Sequence, residues 1–280
     1  MNGVYIHIPF CKTKCFYCDF YSITDNTGQE NYIATLLSEL TMRKDYLSDK
    51  QVDTVYLGGG TPSLLTVRQL NEILRQVHET FEVTSNAEIT IEANPDDLHP
   101  KLLNTYLNLG FNRISIGIQS FVDEHLKWMN RRHNAEQAAT AVDQAAAAGF
   151  RAISLDLIYG IPGMTRQQWK QNLDTATALP ANHLSAYHLT WEPNTPFGKL
   201  QQKGELSEIS EDQSIEQYQM LLETMAAHGF QQYEISNFAR NQQYSRHNTK
   251  YWTGEPYIGL GPSAHSFNGN QRNWNPANLI

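Results

Sequence analysis

Cysteine is scarce in this chain and is confined to one short segment. Only three of the 280 residues are cysteine, and none follows Cys18. An odd number of thiols so close together cannot form a disulfide framework, so the pattern excludes a disulfide-stapled secreted domain. The three thiols need a local explanation.

Long apolar runs and clusters of positive charge are also missing. No apolar stretch is long enough to cross a bilayer, and the first residues lack the basic-then-apolar pattern of a signal peptide. The 29 acidic residues outnumber the 21 basic ones, for a net charge of -8, and no run of Lys or Arg offers a surface to nucleic acid or anionic lipid. We therefore expect a cytoplasmic protein with no membrane span and no nucleic-acid partner.

The chain does contain a repeated alternation of apolar and amphipathic stretches. Strand-like runs are predicted at 4–8, 52–57, 87–92, 113–117, 152–158 and 183–189. Helical patterns lie between them, and the sequences starting at Thr66 and Ser210 predict capping boxes. Such alternation is typical of parallel α/β architecture. Six βα units predict an incomplete (β/α)6 TIM-like barrel, with its chemistry at the C-terminal ends of the strands.

Two regions are expected along the chain. Residues 1–190 would form the barrel core, and residues 191–280 an extension that packs on it. The segment 192–210 is rich in glycine, proline and polar residues, which predicts a mobile loop. The last residues, from Trp274 to Ile280, show no recognisable terminal element.

The cysteines follow the first predicted strand in the spacing C-x3-C-x2-C, at Cys11, Cys15 and Cys18. Three thiolates within eight residues can hold one corner of a [4Fe-4S] cluster and leave one iron open to another ligand, as catalytic metal sites do. Lys12 and Lys14 are expected to lower the pKa of these thiols. Two alternatives remain: a zinc site with a histidine such as His7 as fourth ligand, or three unrelated thiols.

The triplet, together with the run Gly58-Gly59-Gly60-Thr61-Pro62 after the second strand, resembles the radical S-adenosylmethionine (SAM) proteins. Within that superfamily, the segments 5–11, 91–95, 115–121 and 155–162 resemble the oxygen-independent coproporphyrinogen III oxidase group. The resemblance spans roughly residues 4 to 265. It rests on several independent motifs in the right order.

The resemblance implies that the cysteines hold the [4Fe-4S] cluster and that the open iron chelates the amino and carboxylate groups of SAM. It also implies a SAM site made of Tyr5, Tyr17, Gly59, Gly60, Thr61, Glu92, Gln119, Arg131, Asp156 and Thr190. Without the resemblance, the glycine run reads as a tight turn and the polar residues as buried ion pairs or satisfied core groups.

The chain departs from the oxidases of this group in two places. Phe20 stands where they have a fourth cysteine, and their N-terminal extension has no counterpart before residue 4. The segment 247–252, H-N-x-x-Y-W, resembles instead the signature of a heme-chaperone branch. That resemblance implies His247 as a heme ligand, since imidazole is a normal axial ligand of heme iron, with His265 as a second candidate. Read without the resemblance, His247 is a packing residue.

These observations lead to three functional hypotheses, of which a zinc-binding α/β module without redox chemistry is the last. The first is a heme chaperone that binds SAM and heme and passes heme to an acceptor protein, with a reducing electron donor as a further partner. The second is an oxygen-independent coproporphyrinogen III oxidase acting in porphyrin biosynthesis; no catalytic residue is assigned for it. The resemblance also implies a further C-terminal domain, which we expect this sequence to lack.

Overall fold

A single mixed sheet runs through the molecule. The computed structural model describes residues 1–279, so Ile280, the last residue of the expected extension, lies outside the description. The strands in chain order are β1 Asn2–Ile8, β2 Gln51–Gly59, β3 Glu82–Ala93, β4 Arg113–Gln119, β5 Ala152–Tyr159, β6 His183–His188, β7 Gln231–Gln232, β8 Asn237–Ala239, β9 Tyr257–Leu260, β10 His265–Phe267 and β11 Arg272–Trp274. In the sheet they follow the order β11-β10-β9-β1-β2-β3-β4-β5-β6-β8-β7.

Helices connect the parallel strands. They are α1 Gln29–Met42, α2 Val67–Thr80, α3 Pro100–Asn108, α4 Asp123–Trp128, α5 Ala135–Ala148, α6 Arg166–Ala178, α7 Pro196–Gln202, α8 Glu211–Ala227 and α9 Arg246–Thr253. Both predicted capping boxes are present: Thr66 pairs with Gln69, and Ser210 with Gln213. Side-chain caps of this kind satisfy backbone N–H groups that a helix leaves free at its start.

The parallel core confirms the predicted fold class, an incomplete (β/α)6 TIM-like barrel. Strands β1 to β6 pair in sequence and in parallel. The two edges of this core do not meet, because β1 pairs with β9 and β6 pairs with β8. The region after residue 190 therefore adds strands to both edges of the core sheet. We expected it only to pack on the barrel.

The segment 192–210 differs from its prediction as a mobile loop, because it contains α7. The side chain of Thr195 accepts a hydrogen bond from the Gly198 N–H at the start of this helix. Phe197 is buried, and its ring stacks on that of Trp128 with the centroids 4.0 Å apart. Pro196, which favoured a loop in the sequence, occupies the first turn of the helix, where proline is tolerated.

The two ends of the parallel core carry different elements. The cysteine segment follows β1 at the C-terminal end of the strands, where the loops after β2 and β3 also lie. At the other end, α9 packs against the barrel: the backbone N–H groups of Arg246 and His247 donate to the Glu88 carboxylate. Lys250 forms ion pairs with Asp53 and Glu255, both at 2.8 Å. Among the helices of residues 1–279, none is long and apolar enough to cross a membrane.

Candidate functional site

A cavity of about 660 Å³ lies within the barrel. Its walls include all three cysteines and nine of the ten residues that the resemblance assigned to SAM: Tyr17, Gly59, Gly60, Thr61, Glu92, Gln119, Arg131, Asp156 and Thr190. The loops after successive parallel strands meet at one edge of the sheet, so residues far apart in the chain share this space. The assembly agrees with the predicted site, and the individual SAM contacts stay predictions.

The cysteine segment is held at both ends by backbone contacts. The Cys11 N–H donates to the Ile23 carbonyl at 2.9 Å, and the Ile23 N–H donates back to the Pro9 carbonyl at 2.7 Å. Beside Cys11, Lys12 forms a 2.6 Å ion pair with Asp97, which lies after β3. These contacts position the three thiols between the neighbouring loops.

The thiols are chemically suited to an iron–sulfur cluster. All three cysteines are free and partly buried. The Thr61 hydroxyl donates to the Cys11 sulfur at 3.4 Å, and the Arg131 guanidinium donates to the Cys15 sulfur at 3.3 Å. Hydrogen bonds to sulfur stabilise thiolate and are a usual feature around such clusters. The donor set and its surroundings therefore fit the implied cluster.

Lys14 acts on the pKa of Cys18 in the expected direction, but burial has the larger effect on the pKa of this thiol. Burial raises the pKa of Cys18 to about 11, although Lys14 acts in the opposite direction. Burial also raises the pKa of the Cys11 thiol. Lys12 directs its charge to Asp97 instead. Desolvation of the thiolate outweighs the nearby positive charge at Cys11 and Cys18.

His7, the fourth ligand suggested for a zinc site, is engaged elsewhere in the structure. His7 has its Nε2 2.7 Å from the Tyr21 carbonyl oxygen and its Nδ1 3.1 Å from the Tyr5 hydroxyl. Both ring nitrogens are thus engaged away from the thiols. Within residues 1–279, no group of three or more His, Cys, Asp or Glu side chains is arranged to hold a single metal ion.

The glycine run is required by the packing of the protein itself. Gly59 has a φ of 104°, and a Cβ there would lie 2.5 Å from the His7 ring. A Cβ on Gly60 would lie 2.7 Å from the Ile8 carbonyl oxygen, and the Gly60 N–H donates to that same oxygen. The missing side chains bring the end of β2 against the start of the cysteine segment. The tight-turn interpretation and the site interpretation therefore both describe this run.

Glu92 and Asp156 place two carboxyl groups in the cavity. The Tyr56 hydroxyl and the Gly59 N–H donate to Glu92 at 2.6 and 3.0 Å. Burial raises the pKa of Glu92 to about 7, and the nearby Asp156 adds to this rise. Burial likewise raises the pKa of Asp156 to about 6, against hydrogen bonds from serine side chains. Such shifts in a cleft are typical of functional carboxyls.

Gln119 ends β4 in a strained conformation. Its φ is 68°, in the left-handed region that side chains rarely adopt, and the β4–β5 register shifts at this point. Backbone strain in a residue other than glycine is concentrated at functional sites. This observation supports the predicted role of Gln119, and sequence patterns could not have revealed it.

Asn94 and Tyr56 also line the cavity, although the sequence interpretation assigned neither to the site. Asn94 accepts from Arg131 at 2.6 Å and donates to the Thr61 hydroxyl oxygen at 3.2 Å. Asn94 belongs to the segment 91–95 that carried the resemblance, so its position was a usable signal. Tyr56 faces inward from the middle of β2, and only its contact with Glu92 identifies it.

Tyr5 is the predicted SAM residue that the structure leaves out of the cavity wall. Its hydroxyl contacts His7, and its ring lies against Tyr56 and His247 with centroids 6.1 and 6.3 Å apart. Tyr5 points inward from the middle of β1, one layer of side chains away from the glycine run. Its contact with SAM stays a prediction.

The structure separates His247 from the cysteines. The His247 ring lies beside Gly3, where a Cβ would be 3.1 Å from it, whereas Cys11 follows Ile8 at the other end of β1. Five strand residues span about 17 Å. His247 is buried, with Nδ1 2.9 Å from the Thr54 hydroxyl and Nε2 3.0 Å from the Tyr251 hydroxyl.

The second heme candidate, His265, does not line this cavity. It is exposed on β10, where its ring stacks on that of Trp274 with centroids 6.1 Å apart. The loop between β9 and β10 brings Ser263 to the cavity.

Comparison with known proteins gives one consistent set of matches. The model of the radical SAM superfamily matches residues 5–176. The protein of Bacillus subtilis (strain 168) named heme chaperone HemW is 39% identical over 98% of this chain and 73% of its own length. That of Escherichia coli (strain K12), with the same name, is 38% identical over 94% of this chain and 69% of its own length. Coproporphyrinogen III oxidase (HemN) from Escherichia coli, a solved radical SAM enzyme, is 25% identical with a TM-score of 0.85, covering 99% of this chain and 67% of that one.

Proposed function

The chain belongs to the radical SAM superfamily and, within it, to the family of the proteins named heme chaperone HemW, and from this premise we propose that it is a heme chaperone. It binds a [4Fe-4S] cluster, SAM and heme, and it transfers heme to an acceptor protein. The observation that carries this proposal is the similarity over nearly the whole chain to relatives that bear that name. An electron donor and the acceptor are its protein partners, and the cytoplasm, where thiols stay reduced, is its compartment.

Cys11, Cys15 and Cys18 hold the cluster, whose open iron supplies a binding position for SAM. Around that position the chain offers groups of both charges. Glu92 and Asp156 are hydrogen-bond acceptors for the amino and ribose groups of SAM, and Arg131 is a donor to its carboxylate. The shared cavity supports this assignment, because the cysteines and these charged side chains line the same space.

His247 is the proposed heme ligand, and the hydrogen bonds of its two ring nitrogens determine which nitrogen can bind iron. Burial lowers the pKa of His247 to about 3, so its imidazole is neutral, the form that binds iron. Tyr251, the partner of Nε2, is 40% exposed, and the neighbouring Trp252 is 64% exposed. Ligation of iron by Nε2 would therefore require the Tyr251 hydroxyl to leave this nitrogen. Thr54 remains on Nδ1, where a second hydrogen bond orients a metal-binding imidazole.

With these ligands, heme and the cluster would lie at opposite ends of β1. The exposed rings of Tyr251 and Trp252 on α9 offer flat apolar surface to the macrocycle. His265 is the weaker candidate, since its only aromatic neighbour among the described contacts is Trp274.

The structural similarity to HemN favours a second candidate function. The TM-score of 0.85 over 99% of this chain shows a shared fold, which is compatible with oxygen-independent coproporphyrinogen III oxidase activity. Phe20 weighs against it, because this residue replaces the fourth cysteine that the oxidases carry.

Anaerobic incubation distinguishes the two functions. The reconstituted protein is given SAM and reductant and divided between two assays: conversion of coproporphyrinogen III, and transfer of bound heme to apomyoglobin as a probe acceptor. A chaperone transfers heme and leaves coproporphyrinogen unchanged. A decarboxylated product would replace the chaperone assignment with the oxidase one. The matched control for His247→Ala in the transfer assay is His228→Ala, a change at an exposed histidine that follows α8.

A further inference from the structure

Three side chains connect two of the cysteine sulfurs through hydrogen bonds. Thr61 donates to the Cys11 sulfur at 3.4 Å, and Arg131 donates to the Cys15 sulfur at 3.3 Å. Asn94 lies between these two donors, 3.2 Å from the Thr61 hydroxyl and 2.6 Å from an Arg131 nitrogen. Arg131 also donates to the Gly117 carbonyl at 2.6 Å, which fixes the guanidinium against β4.

The chemistry of these groups sets the direction of every bond. A guanidinium only donates, so the Asn94 oxygen must face Arg131 and its NH2 group must face Thr61. Thr61 then accepts from Asn94, and its single hydroxyl proton is left to point at the Cys11 sulfur. Thr61 is 3% exposed, so water cannot easily take the place of either partner. Asn94 thus determines where the Thr61 proton goes.

We propose that Asn94 is a positioning residue that sets the reduction potential of the cluster by orienting Thr61 and Arg131 toward the sulfurs of Cys11 and Cys15. One-electron reduction adds negative charge to a cluster, and part of that charge resides on its sulfurs. Hydrogen bonds and a guanidinium charge directed at those sulfurs stabilise the reduced form and raise the potential. The electron comes from the donor of the proposed function. The proposal rests on the cluster of that function and is independent of heme transfer.

The network of Thr61, Asn94 and Arg131 differs from the Lys12–Asp97 contact beside the cysteines, because it reaches the sulfur atoms. The Lys12–Asp97 ion pair holds the backbone of the segment and reaches no sulfur. Thr61 and Arg131 reach sulfur directly, and Asn94 is the side chain that contacts both. Removal of Asn94 would therefore weaken two donors with one substitution.

The test is a redox titration of the reconstituted cluster without SAM, followed by electron paramagnetic resonance. Thr61→Val removes the donor to Cys11. Asn94→Asp replaces the NH2 group by an oxygen that accepts from Thr61 and adds a negative charge. For Thr61→Val we expect the ratio of reduced to oxidised cluster, at fixed potential, to fall about tenfold, which is about 59 mV for one electron. For Asn94→Asp we expect a larger fall, and Thr61→Ser, which keeps the hydroxyl, should retain the wild-type potential.

Asn104→Asp is the matched control, since Asn104 is exposed on α3 and the substitution adds the same charge far from the sulfurs. The exchangeable proton of the Thr61 hydroxyl should couple to the reduced cluster in wild type and Thr61→Ser and should be missing in Thr61→Val, whereas the coupling from the Arg131 N–H should remain in all three. If Thr61→Val and Asn94→Asp carry full iron and titrate with the wild-type potential, the proposal is wrong. If Asn94→Asp fails to load iron, the comparison of Thr61→Val with Thr61→Ser decides. Equal reduction potentials for these two variants would contradict the proposal. Failure of heme transfer in any variant would bear on the proposed function and leave this result unchanged.

Discussion

Tyr56 joins the two ends of the barrel interior through Glu92 on one side and His247 on the other. Its hydroxyl donates to Glu92 at 2.6 Å, and its ring stacks on the His247 ring with centroids 5.2 Å apart. Glu92 belongs to the cavity wall near the glycine run, and His247 belongs to α9. A single side chain of β2 therefore contacts both the predicted SAM site and the proposed heme ligand.

The buried carboxyl of Glu92 predicts a pH-dependent stability. Because burial raises its pKa from 4.5 to about 7, the contribution of Glu92 to stability is fully present below pH 4.5, where the unfolded chain is also protonated, and is lost as the pH rises through about 7. Glu92→Gln stays neutral, so its free energy of unfolding should fall less between about pH 5 and about pH 8, by about 3 kcal/mol at most. Anaerobic urea unfolding of SAM-free protein at several pH values measures this slope.

The slope, and not the stability at one pH, is the quantity to compare. Glu92→Gln keeps one acceptor oxygen where Glu92 offers two to the Tyr56 hydroxyl and the Gly59 N–H, so it also changes stability by an amount that does not depend on pH. Asp156, with its pKa raised to about 6, contributes a slope of the same sign in both proteins. Equal slopes for wild type and Glu92→Gln would show that Glu92 is ionised throughout the range.

The Tyr251 hydroxyl competes with heme iron for His247. Tyr251→Phe removes that hydrogen bond to Nε2 and should strengthen heme binding by about 2- to 10-fold, the effect of one ordinary hydrogen bond. His247→Ala should abolish the axial-ligand band in an anaerobic heme titration. Tyr244→Phe, which removes an exposed hydroxyl bonded to Gln231, is the control. Unchanged heme spectra for His247→Ala, with a loss for His265→Ala, would move the ligand to β10.

Gly60 should tolerate no side chain. The Cβ of Gly60→Ala would meet the Ile8 and Phe10 carbonyl oxygens at 2.7 and 2.8 Å, and backbone atoms cannot swing aside. We expect a loss of about 1–3 kcal/mol in the free energy of unfolding, with lower iron content after reconstitution. Gly28→Ala, where nothing lies within 4 Å, should change stability by less than about 1 kcal/mol. Equal effects of the two substitutions would contradict this packing argument.

Asp97 should stabilise the cysteine segment from outside. Its buried carboxylate accepts from Lys12 at 2.6 Å, Ser63 at 2.9 Å and Arg132 at 3.2 Å, which joins three loops. Asp97→Asn should lower the free energy of unfolding by about 1–3 kcal/mol, less than a fully buried pair because Lys12 is half exposed. Release of iron to a chelator should become faster.

Asp174→Asn supplies the comparison for Asp97. It breaks the exposed Lys170–Asp174 pair on α6, and such pairs contribute about 0.5 kcal/mol or less. An iron-release rate for Asp97→Asn equal to that of Asp174→Asn would mean that the ion pairs do not hold the segment.

Elements with strong local signals could be predicted from the sequence. The capping boxes at Thr66 and Ser210 formed as expected, and Gly149 ends α5 with a φ of 113°. These features depend only on residues a few positions apart. Strands β7 to β11 could not be predicted, because they have two to four residues and show no periodicity. Their pairing with the sheet edges stabilises them instead.

Within the candidate site, too, some features could be predicted from the sequence and others depend on tertiary contacts. The spacing of Cys11, Cys15 and Cys18, and the order of the motifs, identified the cysteine segment and nine residues of the cavity wall. The sequence could not indicate that burial outweighs Lys14 in setting the pKa of Cys18, since desolvation depends on the atoms packed around a thiol. Nor could it assign Asn94 between Thr61 and Arg131.

By itself, then, the sequence determined the parallel α/β core and its helix starts, because those follow from short-range patterns. The SAM-site residues at the strand ends were identified through the resemblance to radical SAM proteins, and the geometry of parallel sheets explains why they meet. The tertiary structure decided which of these residues touch. It put Tyr5 outside the cavity wall, enclosed His247 between Thr54 and Tyr251 at the far end of β1, and turned the hydroxyl of Thr61 toward Cys11. Such outcomes depend on contacts between distant parts of the chain, which no pattern of neighbours along it contains.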